Sequence, residues 1–315
     1  MKERSFDIDR LSFRSEHASQ AHGETAAEGG GLMIIDCHCH AGKGDGLTGP
    51  WDTAAPLERY LHRAARAGIK RTVLFAPFHS DYAKANREVG RIVASRPDRF
   101  YGFAFIHPLR DRGRVGLLVA EAVEQFGFVG IKVHRYNARI SREICDVARD
   151  YSLPVLYDVM GEVSICQLLA TEYPQVNFII PHLGSFSDDW RAQQAFIDYL
   201  ARHSNIYTDT SGVRRFDLLV QAVQRAGARK VLFGSDGPWL HPGLELAKVQ
   251  ALGLKPEEKE MVLGGTIKTL IGKVRRRTSK ITGRRRSPNN HKVSHEELYQ
   301  SIIRDPWTKQ YSGPE

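Results

Sequence analysis

The run Met33-Ile34-Ile35-Asp36-Cys37-His38-Cys39-His40 ends in two histidines one residue apart. On a strand, residues i and i+2 share a face, so Asp36, His38 and His40 are expected to look one way and Ile35, Cys37 and Cys39 the other. Two imidazoles side by side at a strand end can grip one metal ion. The alternative is a strand end that carries two solvated histidines. Other apolar runs also end in residues with chemistry: His79, His107, Lys132-Val133-His134, Asp158, His182, Asp209 and Asp236. Seven of the 13 histidines end such runs or, as His241 does, closely follow the last of them. A scatter of core histidines would not sort to one end of the strands. Asp236 follows Val231-Leu232-Phe233-Gly234-Ser235. A carboxylate so near an apolar interior is costly unless paired or bound to a cation. Its other reading, a cap for the next helix, is weakened by Pro238 and Pro242.

The elements that position these residues alternate. Apolar runs fall at 33–40, 71–78, 100–107, 129–134, 154–159, 177–183, 205–210 and 230–236. Between them lie segments with helical spacing, at 56–67, 83–95, 115–126, 143–150, 163–172, 190–203 and 216–226. Near-continuous apolar strands fit a parallel sheet covered by helices. Gly68, Pro97, Gly127 and Gly227 stand where helices should stop before the next strand. Eight strand–helix units over about 240 residues are the arithmetic of a single (β/α)8 TIM barrel, whose chemistry gathers at the C-terminal strand ends. A doubly wound open sheet is the alternative. It would want a glycine-rich phosphate loop after the first strand, where this chain has Ala41-Gly42-Lys43-Gly44-Asp45-Gly46 behind metal-type ligands.

Composition brackets the barrel with two polar ends. Residues 1–32 read as a polar extension, 33–272 as the barrel and 273–315 as a basic tail. Ten Lys/Arg and no Asp/Glu lie between Lys268 and Lys292, so removing that +10 from the net +9 leaves the rest near −1. Such a tail is usually solvated, and it lacks the interleaved aromatics of a base-stacking surface, which argues against a nucleic-acid role. No apolar run approaches a membrane span, and the first residues lack a secretory signal. Four cysteines in 315 residues make no disulfide framework. Cys37 and Cys39 are expected to pack as small buried hydrophobes. A cytoplasmic enzyme with a small-molecule substrate is expected, with a homo-oligomer left open. Among aromatic loop residues, Trp51 and Phe186 are expected to pack loop against barrel, and Trp239 to pack or to line a flat pocket. The segment 296–304 has helical spacing and no evident role.

The pieces Asp36-x-His38-x-His40, Gly130-Ile131-Lys132-Val133-His134, Pro181-His182-Leu183-Gly184 and Gly234-Ser235-Asp236-Gly237-Pro238 together resemble the amidohydrolase superfamily. The likeness is to its amidohydrolase-related branch of metal-dependent hydrolases and non-oxidative decarboxylases, over residues 33–272. Val262-Leu263-Gly264-Gly265-Thr266-Ile267 resembles the branch's closing helix, with Thr266 where asparagine is usual. By this resemblance His38, His40 and Asp236 are metal ligands, and His182 is a ligand or a catalytic histidine. On the fifth strand the family offers a histidine where this chain has Tyr157-Asp158. Asp158 either replaces it as an oxygen ligand or turns away. Lys132 resembles the lysine that bridges two metals in binuclear members.

The resemblance implies one divalent ion, zinc ahead of manganese or iron, since N/O donor sets do not choose sharply. It implies hydrolysis by a metal-activated water. Asp236 would move the proton, and His182 or His134 would steady the developing oxyanion. His134, Arg135 and His107 are the candidate substrate-binding side chains. Arginine suits a carboxylate substrate, whereas Arg214 and Arg215 also read as a solvated helix start. The runner-up keeps the site but makes it a decarboxylase. A metal-free binding module on the same barrel is a third reading. A metal-dependent nuclease is a fourth, set against the lysine and histidine where such enzymes carry a fourth-strand glutamate.

Overall fold

The computed structural model describes residues 32–46, 54–186 and 189–275. Expectations for residues 1–31, Trp51, the helix at 296–304 and the tail beyond 275 lie outside them. Eight parallel strands follow one another in chain order around a barrel. They are β1 (Ile35–His40), β2 (Arg71–Phe75), β3 (Phe100–Phe105), β4 (Gly130–His134), β5 (Val155–Asp158), β6 (Phe178–Ile180), β7 (Ile206–Asp209) and β8 (Val231–Leu232). Each is followed by a helix: α1 (Leu57–Arg66), α2 (Tyr82–Ser95), α3 (Val115–Phe126), α4 (Arg142–Tyr151), α5 (Ile165–Glu172), α6 (Trp190–Arg202), α7 (Phe216–Ala226) and α8 (Pro242–Ala251). All eight expected strands are present, and the open-sheet alternative falls away. The loop after β1 makes a small antiparallel pairing of Gly42–Lys43 with Ala54–Ala55.

The strands are apolar on both faces because both are covered. On β4, Ile131 and Val133 join the outer core under the helices, so Lys132 and His134 take the inner face. The lower barrel interior is apolar, filled by Ile35, Cys37, Val73, Phe75, Phe103, Leu156, Ile179 and Leu232. Ile267, Leu270 and Ile271 of a last helix, Thr266–Ile271, belong to that cluster and close the floor. The turn before this helix is pinned to β8, where Phe233 N donates to Val262 O at 2.8 Å. This segment is the one whose sequence resembles a closing helix.

Chain entry and exit meet at one seam. Cys37 N donates to Phe233 O at 3.0 Å, and His40 N to Gly237 O at 2.7 Å. Asp36, fully buried, ties the seam from behind. It accepts from Ser235 N at 2.9 Å, from the Ser235 hydroxyl, and from Tyr60 Oη of α1 at 2.7 Å. Burial pushes its carboxyl up to about 7 against these hydrogen bonds. Strand β8 comes so close that a Cβ at Gly234 would lie 3.0 Å from His38 Cβ and from Asp209 Cγ. Only glycine allows that approach.

The seam also corrects the expected alternation. The pairing of β1 with β2 shifts register between Asp36 and Cys39. An irregularity of this kind breaks the period of two. Asp36 therefore turns to Tyr60 and Ser235 instead of sharing a face with the histidines. Cys37 and Cys39 are both buried, as expected, but Cys37 packs in the inner cluster and Cys39 in the outer one.

Replacing Asp36 with alanine takes the acceptor from the buried Ser235 amide and hydroxyl and leaves the Tyr60 hydroxyl with Thr72 Oγ1, 2.9 Å away. Urea unfolding of D36A should show a loss of about 3 kcal/mol; a loss below about 1 kcal/mol would show that the seam holds without this carboxylate.

Candidate functional site

At the C-terminal mouth of the barrel, His38, His40 and Asp236 each bring one donor atom within 4.8 Å of the others. His38 Nε2 is 3.3 Å from Asp236 Oδ1, and His40 Nε2 is 3.6 Å from the same oxygen. The far sides of both rings fix their tautomers. His40 Nδ1 lies 2.9 Å from Ala76 O, a carbonyl that can only accept, so Nδ1 carries the proton. His38 Nδ1 lies 2.8 Å from Asp209 Oδ2 and donates to it. Both Nε2 atoms thus present lone pairs to a carboxylate oxygen. Burial, reinforced by the charge of Lys132, lowers both histidines from their ordinary value and keeps them neutral. Acceptors crowded at such distances repel unless a cation sits among them. Two neutral imidazoles, each anchored from behind, and a carboxylate form a donor set that suits a divalent metal.

The support around this centre is deep. Burial by itself would raise Asp209, but the hydrogen bonds it accepts from His38 and Ser211, with His182 close by, hold it well below the usual carboxylate range. Asp209 also accepts from Ser211 N at 3.0 Å. His182 Nδ1 donates to Ser211 O at 2.7 Å, leaving its Nε2 facing the cavity 3.6 Å from Asp158 Oδ2. The left-handed backbone at His182 (φ 59°) and Leu183 (φ 54°) is held by neighbours. Gln193 of α6 donates to His182 O at 3.1 Å and Ser185 O at 2.8 Å, and Leu183 N donates to Thr208 Oγ1 at 3.2 Å. Asp236 is left-handed too (φ 54°). Such conformations in bulky residues concentrate where function requires a side chain in one place.

Asp158, the residue that departs from the family pattern on β5, engages two histidines. His134 Nδ1 accepts from Tyr136 N at 3.1 Å, so its Nε2 carries the proton and donates to Asp158 Oδ2 at 3.2 Å. Met160 N donates to the other Asp158 oxygen at 2.8 Å. Burial opposes the charge on Asp158, yet His134, His182 and Lys132 overcome it and hold the carboxyl well below its ordinary value. Among the described residues the three-ligand group contains neither Asp158 nor His182. Both stand beside it, facing each other.

A cavity of about 450 Å³ opens over this floor. His38, His40, Lys132, His134, Asp158, His182 and Asp236 form its polar part, and Phe78, Tyr136, Phe186 and Trp239 its aromatic wall. Phe186 thus lines the cavity, edge-on to His182 at 5.0 Å, instead of packing loop to barrel as expected. Its ring lies over Gly212, where an added Cβ would come 2.5 Å from it, and stays 48% exposed. Trp239 stacks obliquely on His40 at 4.5 Å.

Other expected site residues are elsewhere. His107 is absent from the lining; its Nδ1 accepts from Leu109 N and Arg110 N, both at 3.2 Å, and it serves the turn after β3. Arg135 points to Glu162 at 2.8 Å, which Arg139 also binds at 3.0 Å. Arg215 pairs with Asp217 at the exposed start of α7, the solvated reading. His241 caps α8 rather than facing the centre. Ser211 and Gln193 were not singled out by sequence. Asp209 was visible as a strand end, but not as the partner of a histidine 171 residues away.

The sequence profile of the amidohydrolase family matches residues 35–273. A gamma-resorcylate decarboxylase of Rhizobium sp. (strain MTP-10005) is 24% identical over 218 residues, covering 50% of this chain. That match spans 65% of the relative's own length. Among solved structures, a dihydroxybenzoic acid decarboxylase of Polaromonas sp. JS666, with bound manganese and the inhibitor 2-nitroresorcinol, aligns at TM-score 0.56 and 17% identity, over 76% of this chain and 97% of that one. A Pseudomonas putida protein assigned as a 2-pyrone-4,6-dicarboxylic acid hydrolase aligns at TM-score 0.61 and 20% identity, over 77% and 98%. At these identities the structural likenesses show the fold. Among the described residues no helix is long and apolar enough to cross a membrane.

Asp209→Asn should weaken metal binding about 10–100-fold without removing a ligand, because it loosens the tautomer and orientation of His38. Competition with a chromogenic chelator reads this directly; unchanged affinity would detach Asp209 from the centre.

Proposed function

Because the chain belongs to the amidohydrolase family, we propose that it is a divalent-metal-dependent enzyme that decarboxylates a small, flat carboxylic acid of the hydroxybenzoate class. The observation that carries this reading is the cavity itself, in which an aromatic wall stands over His38, His40 and Asp236. The decarboxylases among its relatives support the reaction type. They move the preference from hydrolysis, the first reading of the sequence, to carbon–carbon cleavage. The metal is zinc or manganese, which His, His and Asp accept alike.

Bound at His38, His40 and Asp236, a divalent ion supplies positive charge for an oxygen of the substrate. The chain does the rest. Phe78, Tyr136, Phe186 and Trp239 hold a planar ring and exclude water from its faces. The bond from ring carbon to carboxyl breaks, its electron pair stays on the ring carbon, and carbon dioxide leaves. A proton delivered from the Asp236 carboxyl then closes that carbon, and Asp236, 13% exposed, regains a proton from solvent. His182 and His134, fixed by Ser211 O and Tyr136 N, orient the polar edge of the substrate.

Hydrolysis is the second reading, favoured by the solvent contact of Asp236 and the hydrolase-assigned relative. There Asp236 would take a proton from water and return it to the leaving group. A metal-free binding module is the third.

The metal-loaded full chain, given 2,6-dihydroxybenzoate and related hydroxybenzoates, should release carbon dioxide. Asp236→Asn should lower that rate about 10²–10⁴-fold, with metal content measured alongside because Asp236 is also a proposed ligand. A 2-pyrone dicarboxylate opened at its lactone to a new carboxylate, with no carbon dioxide released from the hydroxybenzoates, would favour hydrolysis. Protein that takes up no metal would favour the binding module.

A further inference from the structure

Lys132 is an unexpected occupant of the barrel axis. It is 1% exposed, sits on the inner face of β4 between the outward Ile131 and Val133, and lines the cavity floor. Its Nζ lies 4.9 Å from the centroid of Phe75, whose face supports a cation. Among the described residues, the cavity lining holds no other lysine or arginine. Arg135 is directed to Glu162 and His107 to its own turn. A buried ammonium is costly unless negative charge lies near it, and Lys132 shares the floor with Asp158, whose carboxyl it helps to hold down. The group of three potential ligands, His38, His40 and Asp236, does not include Lys132.

We propose that Lys132 anchors the substrate's carboxylate at the floor of the cavity, beside the His38–His40–Asp236 centre. The inference rests on the decarboxylase reading above and adds the residue that reads the charge. A ring held by Phe78, Tyr136, Phe186 and Trp239 inserts carboxylate-first, toward the cation. The carboxylate's charge leaves it as carbon dioxide forms, so a cation on that group favours the bound acid more than the transition state. Lys132 is therefore a binding residue, and its loss should appear in KM more than in kcat.

The test uses the metal-loaded full chain as wild type, Lys132→Met and Lys132→Gln, with metal content measured in each. The probes are 2,6-dihydroxybenzoate and its uncharged amide, followed by quenching of tryptophan fluorescence, since Trp239 stands in the wall. Wild type should bind the acid more tightly than the amide by about tenfold or more, the size of one charge-assisted hydrogen bond. The variants should lose that preference, keep their metal and bind the amide as wild type does; KM should rise about tenfold with kcat within about threefold. Variants that keep the acid preference overturn the anchor and leave the decarboxylase reading standing. Wild type that prefers neither probe overturns the anchor without reference to any variant. Wild type that binds neither probe overturns both.

Discussion

The site exists because the first strand of the barrel meets the last. His38 and His40 enter on β1, Asp236 follows β8, and nothing in the chain brings them together until the barrel closes. Asp36 makes that closure specific by binding Ser235 through both its amide and its hydroxyl while α1 contributes Tyr60. Gly234 then lets β8 press against His38 and Asp209. A different register at this seam would leave two histidines and a carboxylate on separate loops. Strain at Asp236 and His182 is affordable because the seam, Thr208 and Gln193 over-determine those positions.

Once the seam is made, the polar mouth sorts its imidazoles by which nitrogen carries the proton. His38, His40 and His182 each donate from Nδ1 to a group behind them, Asp209, Ala76 O and Ser211 O, and present Nε2 to the cavity. His134 is the opposite, accepting at Nδ1 and donating from Nε2 to Asp158. The first arrangement makes ligands or acceptors; the second makes a donor. Asp158 in place of a fifth-strand histidine thus brings a negative charge that holds His134 in its donor form and faces His182. The floor then combines lone pairs, two carboxylates and Lys132 in one small volume.

Much of this was legible in the sequence because the signals are local. Strand positions follow from runs of apolar residues, and His38, His40 and Asp236 from what ends them. The rest is not local. The irregularity in β1 that turns Asp36 away from the histidines depends on pairing with β2. The ties from Asp209 to His38 and from Gln193 to His182 O cross between elements that no spacing rule connects. His107 and Arg135 misled because a strand end supplies loop histidines and arginines as readily as binding ones; their actual partners, the turn after β3 and Glu162, lie on or beside their own loops. Phe186 shows the converse: an exposed aromatic beside the mouth is a wall of the cavity only once the barrel is closed.

The central claim is that one cation belongs among His38, His40 and Asp236. Anomalous diffraction from crystals grown with manganese tests it most directly. The account predicts a single peak at about 2.0–2.2 Å from Nε2 of both histidines and from a carboxylate oxygen of Asp236. A peak held elsewhere, one bound through Nδ1, or an empty mouth in crystals with manganese in excess would contradict it.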